Sequence, residues 1–271
     1  MKRLSILVCL ALTLLFVTSA TADVTLQDGS STVQFNPNSQ AGAYAWTVNG
    51  YDVLFQQWFW YGTNPNGGQQ SIDNLGNLLV TQTDNQHVTF NYGAAGGLQA
   101  EVDYGLHGGA IGQMTSDLSE NIKLTNAGNA PVDLRFYQYS DFDLNRSNLV
   151  DQVKIDPSLR FVNQWPVGAG SFGPLLSETI ITPAPNHAEA NYYANTLNEF
   201  AANSGLTLND VLVAGPGDVT WAFEWDRTLD PGASFLISKD KQLTPTPEPG
   251  TLGVVGGILA ILAWKKRSLV L

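Results

Sequence analysis

Cysteine is almost missing: the 271 residues hold a single one, Cys9. It lies inside an apolar run near the start, so a chain that loses this run has no thiol. Disulfides, thiolate metal sites and cysteine nucleophiles are thereby excluded. Basic residues are scarce too. Lys and Arg number 13 against 24 Asp and Glu, a formal net charge of −11. Five of the basic residues, Lys2, Arg3, Lys265, Lys266 and Arg267, sit at the two ends. The acidic stretch between repels phosphate backbones, which argues against nucleic acid as a partner. Three histidines occur, His87, His107 and His187, and none stands in an H-x-H or H-E-x-x-H spacing. Gly170-Ser171-Phe172-Gly173 lacks the G-x-S-x-G elbow. No hydrolytic triad follows from these motifs, and no catalytic residue is assigned.

What is present begins with the two ends. Lys2 and Arg3 precede an apolar run from Leu4 to Val17, followed by small residues ending Ala20-Thr21-Ala22. This order predicts a signal peptide over 1–22, cleaved after Ala22, and export through the Sec pathway. At the other end Pro245, Pro247 and Pro249 disfavour helix and strand and predict an extended linker. An apolar segment, Leu252 to Trp264, then meets Lys265-Lys266-Arg267, a cluster that would stay on the cytoplasmic side. The segment is at or below the minimum length of a membrane span. Between these ends, residues 23–243 are read as one domain.

Pro247-Glu248-Pro249, its continuation Gly250-Thr251 and the basic cluster Lys265, Lys266, Arg267 resemble the PEP-CTERM sorting signal. The resemblance covers the tail, 244–271, and Ser268 to Leu271 extend past where that family usually stops. It implies processing by an exosortase-type membrane protease, with the chain held transiently in the inner membrane by its C-terminal transmembrane segment. It further implies a final place at the cell surface or outside the cell, in company with extracellular polysaccharide.

The middle is dominated by alternation of apolar and polar residues bounded by turns, the mark of half-buried strands. Tyr44, Trp46 and Val48 alternate, Asn49-Gly50 supplies a hairpin turn, and Tyr51 to Tyr61 reads as the returning strand. Asp28-Gly29 makes an earlier hairpin. Val88, Phe90 and Tyr92 share a face, as do Ala100 to Leu106, Ile122 with Leu124, and Val132, Leu134 and Phe136. Val219, Trp221, Phe223 and Trp225 do so near the end. A helix is predicted from a cap at Asn186 to about Asn203, with Gly205 at its end. The expected fold is all-β, an antiparallel β-sandwich with one inserted helix. Leu54 to Tyr61, Tyr137 to Leu144 and Trp221 to Asp226 are also similar to exported PEP-CTERM proteins of an uncharacterised family, a resemblance that brings no activity with it.

Four features carry candidate chemistry. Asp141, Asp143 and Asn145 alternate like calcium ligands, but Arg146 and Gln152 stand where an EF-hand needs Gly and Glu. Turn residues capping local amides are the plainer reading, so no cofactor is expected, with calcium as the alternative. Glu101 with Asp103 and Glu224 with Asp226 are carboxylate pairs on one strand face, as acid–base chemistry requires, yet each has the look of a solvated outer face. Trp58, Trp60, Tyr137 and Tyr139 are candidates for stacking on sugar rings, and the two tyrosines lie opposite the apolar face of their strand. The leading expectation is a non-enzymatic surface or matrix protein, structural or carbohydrate-associated. Its alternatives are a secreted glycan-active enzyme and a calcium-stabilised adhesion module.

Overall fold

The computed structural model describes residues 23–63, 67–144, 150–168, 173–202 and 205–245. The expected signal peptide, the sorting motif Pro247, Glu248, Pro249, the cluster Lys265, Lys266, Arg267, and Asn145 lie outside the described residues. Among the described residues no helix is long and apolar enough to cross a membrane.

Eighteen strands follow one another among the described residues. They are β1 (Val24–Asp28), β2 (Ser31–Asn36), β3 (Gly42–Val48), β4 (Tyr51–Asp52), β5 (Leu54–Gly62), β6 (Gln70–Ser71), β7 (Leu79–Gln82), β8 (His87–Tyr92) and β9 (Leu98–Gly108). Then come β10 (Ser116–Asn126), β11 (Val132–Phe142), β12 (Asp151–Ile155), β13 (Phe161–Pro166), β14 (Pro174–Thr182), β15 (His187–Tyr192), β16 (Val213–Gly217), β17 (Val219–Leu229) and β18 (Ser234–Pro245). The helix α1 spans Asn195–Ala201. They form two nine-stranded sheets. The first runs β1-β2-β3-β5-β11-β17-β15, with β4 on β3 and β6 on β5; the second runs β16-β12-β13-β14-β18-β10-β9-β8-β7. Pairing is antiparallel except where β3 meets β5 at Gly42 and Ala43. The expected all-β sandwich of antiparallel sheets with one helix is what the chain forms.

Both predicted hairpins are present. Asn49 and Gly50 adopt positive φ of 51° and 74° between Val48 and Tyr51, which face each other. The return strand differs from expectation. It breaks at Val53, so only Tyr51–Asp52 pair back on β3, while β5 moves inward to pair with β11. Gly42 lets β3 pass over the Trp58 ring, which a Cβ there would penetrate. The helix is also shorter than predicted. Residues 187–192 form β15, an edge strand on β17, because their backbone completes that sheet's ladder. The helix then starts after Ala194, at φ 65°, with no side-chain cap, so Asn186 is not the cap. β18 continues to Pro245, taking in the first residues of the expected linker.

Between the sheets lies an aromatic and aliphatic layer. Phe59 stacks on Phe136 at 5.5 Å and Phe142 on Trp221 at 5.4 Å, all fully buried. Each such ring contributes about 1.5–3 kcal/mol by leaving water. The centre of this layer is ionic. Lys239 and Lys241 on β18 stand directly across from Glu120 on β10 and Glu178 on β14, with all four side chains fully buried. Glu120 bonds both ammonium groups, and Glu178 lies 3.4 and 3.2 Å from them. Gln138 and the Trp221 indole N–H complete the shell of Glu178 at 2.9 Å. Burial pushes Glu178 up, but Lys241 and Lys239 overrule it and hold this carboxyl low. Two cations thus meet two anions with hydrogen bonds in place, the condition under which buried charge is tolerated.

Candidate functional site

The site follows from the register of two neighbouring strands. In an antiparallel pair, residues directly opposite one another point to the same face. Phe136, Gln138 and Ser140 of β11 face inward with Trp225, Phe223 and Trp221 of β17. The outward face therefore carries a ladder of opposed residues: Asp133 with Thr228, Arg135 with Asp226, Tyr137 with Glu224, Tyr139 with Ala222, and Asp141 with Thr220. On one side β5 adds Trp60 beside Tyr137 and Trp58 beside Tyr139. On the other, β15 adds His187 beside Glu224 and Glu189 beside Ala222.

The middle of this ladder is covered. Phe200 of α1 stacks on Trp60 at 4.7 Å and 4°, and meets Tyr137 edge-on at 5.4 Å. The Tyr137 hydroxyl donates to the Leu206 carbonyl at 2.6 Å, and Arg135 donates to Gly205 and Leu206 at 3.3 and 3.1 Å. The Leu208 amide donates to Glu224 Oε2 at 2.8 Å, and Thr196 donates to Glu189 Oε1 at 2.6 Å. The sugar-stacking candidates are accordingly packed, the commoner role of aromatics in a sandwich, rather than presented on the surface. Tyr137 and Tyr139 are buried under this cover, Trp60 lies beneath Phe200, and Trp58 is buried with its indole N–H on Ser71 at 3.0 Å.

The two ends of the ladder remain approachable. At one end is a cleft of about 310 Å³ lined by Asp133, Leu134, Arg135, Asp226, Arg227 and Thr228. Glu224 is the next outward residue on β17 after Asp226. The expectation of a solvated outer face fails for Glu224, which is fully buried. Burial raises its pKa to about 7, opposed by the Leu208 amide and reinforced by Asp226. Glu224 Oε1 and Asp226 Oδ1 have no hydrogen-bond partner. His187 is raised by its hydrogen bond to Asp210, 2.9 Å away, whose charge adds to the effect. A carboxyl that still carries its proton near neutrality, next to a second carboxyl, an arginine and a histidine, can move protons to and from a bound hydroxyl or ether oxygen.

At the other end Asp141, Asp143 and Asp218 converge, one oxygen of each lying within 4.8 Å of the others. Burial, then Asp143 and Asp218, push Asp141 up to about 8; burial, then Asp218, push Asp143 up to about 6. Asp218 was not legible as a partner of the Asp141 stretch, because nothing local links them. The β11–β17 register brings them together. Exposed Phe55 and Tyr193 meet edge-on at 5.8 Å, and Tyr193 is bonded through its amide to the Asp218 carbonyl at this end.

The second predicted carboxylate pair stands elsewhere. Glu101 and Asp103 lie on β9 of the other sheet, Glu101 across from Lys123 and Asp103 taking a 2.6 Å hydrogen bond from Thr89.

No protein-family model matches the sequence, and neither does any curated protein. Solved structures do share the fold. A putative aldose 1-epimerase from Escherichia coli K12 superposes with a TM-score of 0.52 at 10% identity, over 83% of this chain and 99% of that one. A bacterial glucoamylase complexed with acarbose gives 0.56 at 7%, covering 84% and 32%, and a polysaccharide lyase gives 0.50 at 14%, covering 82% and 33%. The chain thus spans about a third of the length of the latter two. At these identities the likeness establishes the fold. It also corrects the leading expectation from sequence: a non-enzymatic role drew on the lack of a legible catalytic motif, and this fold is shared with a putative aldose 1-epimerase, a glucoamylase and a polysaccharide lyase.

Proposed function

We propose that the chain is a carbohydrate-active enzyme whose proton transfers are carried by Glu224 and Asp226 on the outward face of the first sheet. The observation that carries this reading is Glu224 itself. It is a buried carboxyl with one unbonded oxygen and a pKa raised to about 7, next to an arginine-lined cleft. In this reading Glu224 serves as the acid, Asp226 as the base, and Arg135 orients a sugar oxygen in the cleft. The fold shared with an aldose 1-epimerase, a glucoamylase and a polysaccharide lyase supports sugars as the substrate class.

The test is a panel of free aldoses, oligosaccharides and acidic polysaccharides. Anomer interconversion, reducing-end release and unsaturated-product formation are followed for the full chain. Turnover of one substrate, lost in Glu224→Gln with an unchanged circular dichroism spectrum, is expected. An inert panel without saturable sugar binding, or full turnover in Glu224→Gln, overturns the reading.

Location belongs to the same proposal: export by way of residues 1–22, exosortase-type processing of 244–271, and a place at the cell surface or beyond. Intact-mass measurement of the protein recovered from outside the cell is expected to show Asp23 as the first residue and loss of Lys265 to Arg267. Recovery of the full-length mass alone would refute it.

A further inference from the structure

We infer that Asp141, Asp143, Asp218 and the Thr220 hydroxyl form a binding site for one divalent cation of the calcium type, at the far end of the ladder from Glu224. The site does not depend on the catalytic reading. The strand rise of about 3.3 Å per residue sets Thr220 ~13 Å from Glu224 along β17.

Three observations converge. The first is spacing: one oxygen from each aspartate lies within 4.8 Å of the others, the one such group of potential ligands among the described residues. Oxygens on opposite sides of a calcium ion are separated by about twice the ~2.3–2.6 Å calcium–oxygen distance, so one ion can bridge all three. The second is charge. Asp143, Asp218 and Asp151 act on Asp141, and Asp218 and Asp52 act on Asp143; all are acidic. A divalent cation would offset these like charges.

The third observation is Thr220. It is fully buried, and its Oγ1 has no hydrogen-bond partner. It stands directly across from Asp141 and two residues after Asp218, so all three side chains point to one face. The Thr220 hydroxyl is close enough to Tyr139 to act on it as a hydrogen-bond neighbour, but no bond of normal geometry joins the two, and the Tyr139 hydroxyl donates instead to Asp141 Oδ2 at 3.2 Å. A buried hydroxyl without a partner costs stability, and such a group needs a reason. Serving as an oxygen ligand is that reason here. All the donors are oxygens, with no imidazole or thiolate among them, which selects calcium or magnesium over zinc or copper. Asp143 and Asp218 are only partly buried, leaving room for the waters and irregular geometry that calcium accepts and magnesium resists.

The experiment is a calcium titration of the EDTA-treated full chain, by calorimetry and by terbium luminescence excited through the aromatic rings. One ion per chain is expected, with weaker magnesium binding and a rise in Tm of roughly 5–10 °C at a hundredfold excess over Kd. Asp218→Asn is expected to weaken binding at least tenfold. Asp240→Asn, which alters a carboxyl pair on the other sheet, should leave it unchanged. Thr220→Val separates the site from a structural role: it should weaken calcium several-fold while leaving Tm in EDTA equal or higher. Calcium affinity in Glu224→Gln should match the unaltered chain, so failure of the catalytic reading does not carry this one down. Absence of saturable binding, or undiminished binding in an Asp143→Asn/Asp218→Asn double variant, overturns the inference.

Discussion

The protein carries two groups of buried charge, and they are built on opposite plans. Between the sheets, Lys239 and Lys241 meet Glu120 and Glu178 across β18, β10 and β14, and the sum of charge is zero. On the outward face of the first sheet, Glu224, Asp141 and Asp143 are pushed toward their neutral forms by burial, with further carboxyls close by. The inner group has its counter-charges supplied by the fold. The outer group leaves carboxyl protons to be held or exchanged, and oxygens without partners. Charge that the fold has already balanced is part of the architecture; the charge left unbalanced is where both proposed sites lie.

The comparison breaks most visibly at its inner member. Lys241→Met removes one cation and strands its carboxylates in a dry layer, which should cost about 3–5 kcal/mol in urea unfolding. A double replacement that removes Lys239 with Glu120 should recover much of a single variant's loss; equal losses from single and double variants would contradict the charge-balance account. On the outer face, Glu224→Gln should lower turnover by about 100-fold or more, against a far smaller change in stability.

The two regions also answer pH in opposite senses. Glu224 binds its proton more tightly folded than unfolded, so its contribution favours the folded state at low pH. That contribution declines as pH rises from the ordinary 4.5 through about 7. Glu178 is held low, so its contribution is in place above 4.5 and is lost as pH falls below it. Melting curves should therefore show a maximum near pH 5, with Glu224→Gln flattening only the alkaline limb. A maximum above neutrality that this variant leaves unmoved would count against the assignment. The smallest effect is expected at Glu101→Gln, within about 0.5 kcal/mol and without loss of turnover, because this carboxylate is part-exposed on the other sheet, far from the Glu224 ladder.

Much of the fold was legible in the chain's alternation. The β9, β10, β11 and β17 faces, and the turns at Asp28-Gly29 and Asn49-Gly50, follow from local pattern and turn chemistry. The helix was overextended because Ala190 and Tyr193 also fit a helical stripe, and only pairing with β17 decides that 187–192 is a strand. The inner ionic group was missed, although it left a signal: Glu120 stands in phase with Leu118, Ile122 and Leu124, and Lys239 and Lys241 in phase with Ile237 and Leu243. A charged residue in the apolar phase of a strand implies an opposite charge in another such strand. Glu224 and Asp226 were recognisable as a pair, but the burial of Glu224 depends on residues 205–208 crossing the sheet, which no local pattern announces. Asp218 joins Asp141 solely through strand register. The aromatic pairs were legible as aromatic, and their cover by Phe200 was not.

The place of β18 has a consequence for how this molecule comes into being. It is the final strand of the described residues, yet it lies in the middle of its sheet, joining the β7–β10 half to the β12–β16 half. It also brings both lysines on which the inner carboxylates depend. Until residues 234–245 are in place, the second sheet has two unjoined parts and its glutamates lack their lysines, so native closure waits for β18. A polypeptide built this way completes its second sheet and its inner ion pairs together, as a single late step.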